Sequence, residues 1–146
     1  MKKSLVLSVS AGTGCYRHIR ISEDDTLYDL SSAILSSVNF YNDHLHSFFM
    51  SNRAWDSSSE YMCPHSENLG DVCGSTGEVN LSYFNLNKGD KFLYLFDYGD
   101  EWRFQIKVLR VIDEPTKDPI ILKSVGEISQ YGYDEEEYED DDDEDN

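Results

Sequence analysis

Apolar residues alternate with polar ones in short runs along most of this chain, and only once do they recur at helical spacing. Lys3 to Ser10 alternates, Cys15 to Ile21 does so again, and Ala11-Gly12-Thr13-Gly14 between them reads as the turn of a hairpin. Leu27, Leu30, Ile34 and Val38 then fall on one face of a helix. Asp25 or Thr26 can cap it, and Thr26 with Asp29 three residues on forms a weakened capping box. Ser31, Ser32, Ser36 and Ser37 mark its polar side, and the chain leaves the helix near Phe40. His44 to Met50 is a further strand, and Pro119 to Lys123 a short edge strand with proline at its first position.

The densest run of β-favouring residues is Lys91 to Ile112, interrupted at Asp97-Tyr98-Gly99-Asp100-Glu101. A tight Gly99-Asp100 reversal, with positive φ at Gly99, predicts a long antiparallel hairpin. That register sets Asp97 opposite Trp102 and Leu95 opposite Phe104. Phe92, Tyr94 and Phe96 then share the other face with Arg103 and Lys107, a candidate binding surface. The first strand is apolar on both faces and so reads as central, while Trp102 is the large anchor at the tip.

Between the elements lie the candidate chemistries. Gly-Thr-Gly at 12–14 lacks the lysine and helix that a phosphate loop needs. His44 and His46, two apart on a strand, share a face and could ligate a metal, but each also reads as an ordinary strand imidazole. The polar insertion Asn52 to Glu78 holds Cys63, His65 and Cys73, whose spacing departs from paired zinc ligands. They read as unliganded, and no cofactor is expected.

The net charge of −17 changes meaning once it is located. Asp134 to Asp145 holds 11 acids and no base, which leaves 18 acids against 12 bases elsewhere. Such a tail cannot bury enough apolar surface to offset chain entropy and is expected to be disordered. Its charge argues against direct binding to a phosphate backbone. No segment has the roughly 18 apolar residues of a membrane span. The opening MKKSLVLSVSA imitates a signal peptide, but its strand-like alternation points to a mature cytoplasmic protein. Three cysteines suit a reducing compartment.

Phe96-Asp97-Tyr98-Gly99-Asp100-Glu101-Trp102 resembles the Tyr-Asp-Phe-Gly-Asp-x-Trp hallmark of the plasmid pRiA ORF-three-like family. Asp43-His44-Leu45-His46-Ser47-Phe48, and Pro119 through Lys123-Ser124-Val125-Gly126-Glu127 to Gln130-Tyr131, extend the likeness. Phe104 stands where many members carry histidine, and Glu127-Ile128-Ser129-Gln130 replaces a Pro-Pro-Glu-Asp stretch. The resemblance implies a fold and a mobile-element origin, but no particular chemistry.

These readings predict an α+β domain over residues 1–133. It is a mainly antiparallel sheet with a β-β-α-β, β-grasp-like start, one covering helix and a long central hairpin, followed by the acidic tail 134–146. Three functions compete. Asp97, Tyr98, Gly99, Asp100 and Trp102 could form a structural or binding motif in a non-catalytic module that takes a protein partner. Asp97, Asp100 and Glu101 could converge as acid and base or around a hard cation. The tail could mimic nucleic acid or mask a basic partner. The first is favoured, because no nucleophile–base pair or cofactor loop accompanies the acids.

Overall fold

A computed structural model describes residues 2–64 and 71–131 of the chain. The expected acidic tail lies outside them. One eight-stranded sheet dominates, built from β1 (Ser4–Ser10), β2 (Tyr16–Ser22), β3 (His46–Phe49), β4 (Glu60–Met62), β5 (Gly74–Ser75), β6 (Lys91–Phe96), β7 (Trp102–Ile112) and β8 (Ile120–Val125). The spatial order is β5-β4-β3-β6-β7-β1-β2-β8, antiparallel throughout except between β4 and β5. β3 is therefore separated from β1 by β6 and β7. The architecture is α+β, with a single α-helix, α1 (Leu27–Ser37), among the described residues.

α1 begins where the spacing of Thr26 and Asp29 predicts. The Thr26 hydroxyl accepts from the Asp29 amide and the Asp29 carboxylate accepts from the Thr26 amide, both at 3.0 Å. Those bonds satisfy two amides that a helix start leaves free. Leu27, Leu30, Ile34 and Leu35 enter the main core with Leu5, Leu7, Ile19, Ile21, Phe92, Phe104 and Ile106 from the sheet. Ser31, read from its neighbours as part of the polar side, instead points inward. It is fully buried, and its hydroxyl lies 2.6 Å from that of Tyr94.

The far end of α1 is held from outside the helix. Arg17, buried on β2, donates from Nε to the Ser37 carbonyl, and from Nη1 to the carbonyls of Tyr16 and Val125, each at 2.9 Å. A cation at a helix C-terminus faces the negative end of the dipole and answers unpaired carbonyls at once.

The β6–β7 hairpin forms, but in a different register from the one the Gly-Asp pair suggests. Phe92 pairs with Ile106, Tyr94 with Phe104 and Phe96 with Trp102, so the loop is Asp97 to Glu101. The positive φ values fall at its two ends, 68° at Asp97 and 54° at Glu101, and not at Gly99. A loop of odd length moves the pairing by one residue, and a one-residue move exchanges the faces of a strand. Phe92, Tyr94 and Phe96 are therefore fully buried in the core, while Arg103 and Lys107 are exposed on the reverse face. The five residues do not form one binding surface. β6 is covered on both sides as expected: on its reverse face Leu93 and Leu95 cluster with Phe49, and Ala54 and Tyr98 pack against them.

After β8 the chain crosses the end of the β1–β2 hairpin. Gly126 has a φ of 77°, and a Cβ there would stand 2.0 Å from the Gly14 carbonyl oxygen. At Gly99 an added Cβ would meet only the Asp97 carboxylate, at an ordinary 3.5 Å. Gly126→Ala is accordingly expected to lower Tm by more than about 5 °C, and Gly99→Ala by less than about 2 °C. Thermal melts of the two variants side by side test this; equal losses would contradict the turn geometry.

Candidate functional site

Asp97 is the residue from which the site is built. Its amide donates to the Leu45 carbonyl at 2.8 Å, which ties the end of β6 to the chain entering β3. Its carbonyl accepts from Glu101 at 2.6 Å and closes the loop. Oδ1 accepts from the amides of Gly99 and Asp100 at 3.1 and 3.3 Å. The residue is only 7% exposed. The three acids of the loop do not converge: Asp100 serves Asp97 through its amide, and the Glu101 carboxylate pairs with Arg103 at 2.7 Å.

The other Asp97 oxygen faces His44. His44 Nε2 stands 3.5 Å from Asp97 Oδ2, 3.6 Å from Asp43 Oδ1 and 2.9 Å from the Tyr131 hydroxyl. Tyr131 donates in turn to Asp43 Oδ2 at 3.2 Å, which leaves its oxygen able to accept from His44 Nε2. Partial burial, the bond to Asp43 and the charges of Asp43, Asp97 and Asp100 together raise the Tyr131 phenol above its ordinary range. Gln130 secures this arrangement by bonding both backbone groups of Tyr41 and the Asp43 carboxylate. Asp43 and His44 border a recess of about 760 Å³, also lined by Tyr28, His46, Cys63 and Pro64.

His46 lies deeper. Its Nε2 is 2.9 Å from the Thr76 hydroxyl and its Nδ1 3.5 Å from that of Ser31, which is bonded to Tyr94. Beside it Ser47 donates to Glu60 at 2.6 Å and meets the Tyr98 hydroxyl at 2.7 Å, while Tyr98 donates to the His46 carbonyl. Tyr98 thus leaves the loop for the reverse side of the sheet, where Trp55 meets its ring edge-on. Trp102 packs edge-on against Phe40 at 5.0 Å, and its buried Nε1 finds no acceptor among the described residues.

Burial drives these inner groups to their neutral forms. It lowers the His46 pKa to about 4, pushes Tyr98 up to about 12, and raises Tyr94 and the Cys63 thiol above their ordinary ranges. A thiol moved up is a weaker nucleophile at neutral pH. Cys63 is buried and Cys73 exposed, where its Sγ meets the Ser58 carbonyl; His65 lies outside the described residues. Among the described residues no three metal-binding side chains gather at one point.

Sequence reasoning placed Asp97 and His44 as candidates separately, but missed that they meet. It also missed Tyr131 and Gln130 as their partners, since only the resemblance touched that stretch. Two outcomes follow. Asp97→Ala should cost about 1–3 kcal/mol in urea unfolding, because two turn amides lose their acceptor. Asp97→Asn, which keeps Oδ1 and tolerates a left-handed backbone, should cost less.

The second concerns pH. His46 has a folded pKa of about 4, below the unfolded value of roughly 6.5, so the unfolded chain takes up the proton first. Its contribution is complete above the unfolded pKa and is lost as pH falls toward 4. Between pH 7 and pH 5 the loss should be about 2 kcal/mol. His46→Gln should flatten that slope in unfolding curves at the two pH values; an unchanged slope would assign it elsewhere.

No curated protein matches the chain. Among solved structures it is similar to the crystal structure of the protein of unknown function MM3350 from Methanosarcina mazei Go1. The two are 24% identical with a TM-score of 0.69, over 92% of this chain and 80% of that one, a likeness of fold. Residues 7–140, which include the Asp97 turn, His44 and Tyr131, match the family described as plasmid pRiA4b ORF-3-like protein, and the chain belongs to that family.

Proposed function

We propose that this chain is a non-catalytic interaction module of mobile-element origin, which takes a protein partner by adding a strand along β8. The observation that carries this reading is the edge itself. Ile120, Ile121 and Leu122 are 48%, 40% and 48% exposed, and among the described residues β8 pairs with β2 alone. The opposite edge is β5, two residues long, as protected edges often are. β8 runs for six residues with its side chains exposed, guarded by Pro119 before it, Lys123 within it and a bulge at Leu122, while Arg17 occupies the Val125 carbonyl at its end. Main-chain bonds along such an edge supply affinity, and exposed apolar side chains on it supply selectivity.

One observation favours an acid–base enzyme instead. His44 stands between a carboxylate and a phenol at the border of an open recess. Against that, Asp97 already spends one oxygen on the turn, and burial holds the Cys63 thiol and the inner tyrosines neutral. The module reading accounts for these without a substrate.

The test pairs two variants. Ile120→Lys with Leu122→Lys should leave Tm within about 2 °C, as surface changes do, and reduce capture of the partner from the host lysate at least tenfold. His44→Ala should leave capture unchanged. Capture that survives the charged edge and fails with His44→Ala would move the function to the recess.

A further inference from the structure

Strands β1, β2, β6, β7 and β8 contain Arg17, Arg20, Lys91, Arg103, Lys107, Arg110 and Lys123, and no aspartate or glutamate. Arg17 turns to the core; the others share the sheet face away from α1. The pairings make the arrangement explicit. Lys91 lies beside Lys107, Lys107 beside Ser8, Ser8 beside His18, and His18 beside Lys123. That row crosses five strands, roughly 19 Å at about 4.8 Å per strand. Arg110, Val6 and Arg20 form the next row.

This charge is largely unanswered. Arg20 meets Glu114 and Arg103 meets Glu101, but Lys91, Lys107, Arg110 and Lys123 join no ion pair among the described residues. Like charges directly opposite on a sheet are destabilising, and Lys91 and Lys107 are such a pair. Lys123 lies 5.7 Å above the Tyr16 ring. His18 reports the local field: burial first, then Lys123 and Arg110, lower its pKa. Loops frame the surface, with Asn52 bonded to Gln105 on one side and Thr116 bonded to Ser4 and Arg20 at one end.

A complementary segment is present in the same chain. Asp134 to Asp145 carries 11 acids in 12 residues. Residue 131 stands at the sheet end that holds the β1–β2 and β6–β7 turns, fixed through Tyr131 to His44 and through Gly126 beside Gly14. The residues from 132 to 145 can reach roughly 46 Å when extended, against about 10 Å for the distance between packed layers. A tether of this length gives an effective concentration on the order of millimolar. We propose that Asp134–Asp145 binds this chain's own basic sheet face, so that the face is an anion-binding surface occupied from within.

The experiment uses the full-length chain and a full-length variant in which every acid from 134 to 145 becomes Asn or Gln. The His18 pKa is measured by NMR in both at 0.15 M and 1 M salt. His18 is faced by Ser8, Lys123 and Tyr16 and lies in the field of Arg110, with Lys107 one strand beyond Ser8 and Arg20 two residues along its own strand, so carboxylates settling there raise its pKa. The native chain should show a value at least 0.5 unit higher than the neutral-tail variant at low salt, with the gap closing at high salt. Labelled peptide 134–145 should bind the neutral-tail variant at least tenfold more tightly than the native chain, and Lys107→Glu with Arg110→Glu should abolish that binding. Equal His18 values, or peptide binding that survives the charge reversal, would overturn the proposal. So would a neutral-tail variant that binds a single-stranded oligonucleotide but not the peptide, since the face would then belong to nucleic acid.

Discussion

Asp97 closes a loop of five residues with one carboxylate oxygen and one carbonyl, and through its amide holds the entry to β3. The face of the central hairpin that carries Phe92, Tyr94 and Phe96 follows from that count. With the loop odd, the three rings join Ile106, Phe104 and Trp102 on the side of α1; with it even, they would be turned to the reverse face, where Phe49 packs on Leu93 and Leu95. Buried aromatics contribute roughly 3–5 kcal/mol each when truncation is the measure. The cost of holding Asp97 and Glu101 in left-handed backbone, about 1–3 kcal/mol apiece, is small beside them.

The interior that results holds neutral polar groups beside a few buried charges, Arg17, Glu60 and Asp97. Ser31 with Tyr94, His46 with Thr76, and Ser47 with Glu60 answer one another's hydrogen-bonding groups beneath the helix and between strands. Matching of this kind fixes which side chain sits opposite which, because each misplacement leaves a buried group unpaired. It also makes acid a specific stress on the fold, applied at one imidazole.

Much of this was legible in the residues. The helix start, the edge strand at Pro119 and the central place of β6 all rest on local patterns that tertiary packing leaves alone. The register was not, because Gly99-Asp100 offers a two-residue reversal that is locally cheaper than a loop with Asp97 and Glu101 left-handed. Local chemistry cannot show that Phe96 comes to lie opposite Trp102. Ser31 was misplaced because a serine among serines reads as surface until Tyr94 is brought opposite it. The basic face was hidden differently: its cations sit singly on five strands, from Arg20 to Lys123, and only the sheet order assembles them. His44, Asp97 and Tyr131 are likewise scattered, and only folding joins them.

Arg17 has a consequence for motion. One guanidinium grips the last turn of α1 at Ser37 and the last residue of β8 at Val125, while its own strand runs between them. Freeing either carbonyl leaves a buried cation with less to hold it, which weakens its grip on the other. Fraying of the helix end and peeling of the edge strand are therefore coupled into one excursion, and whatever holds the edge also quiets the helix end beside it.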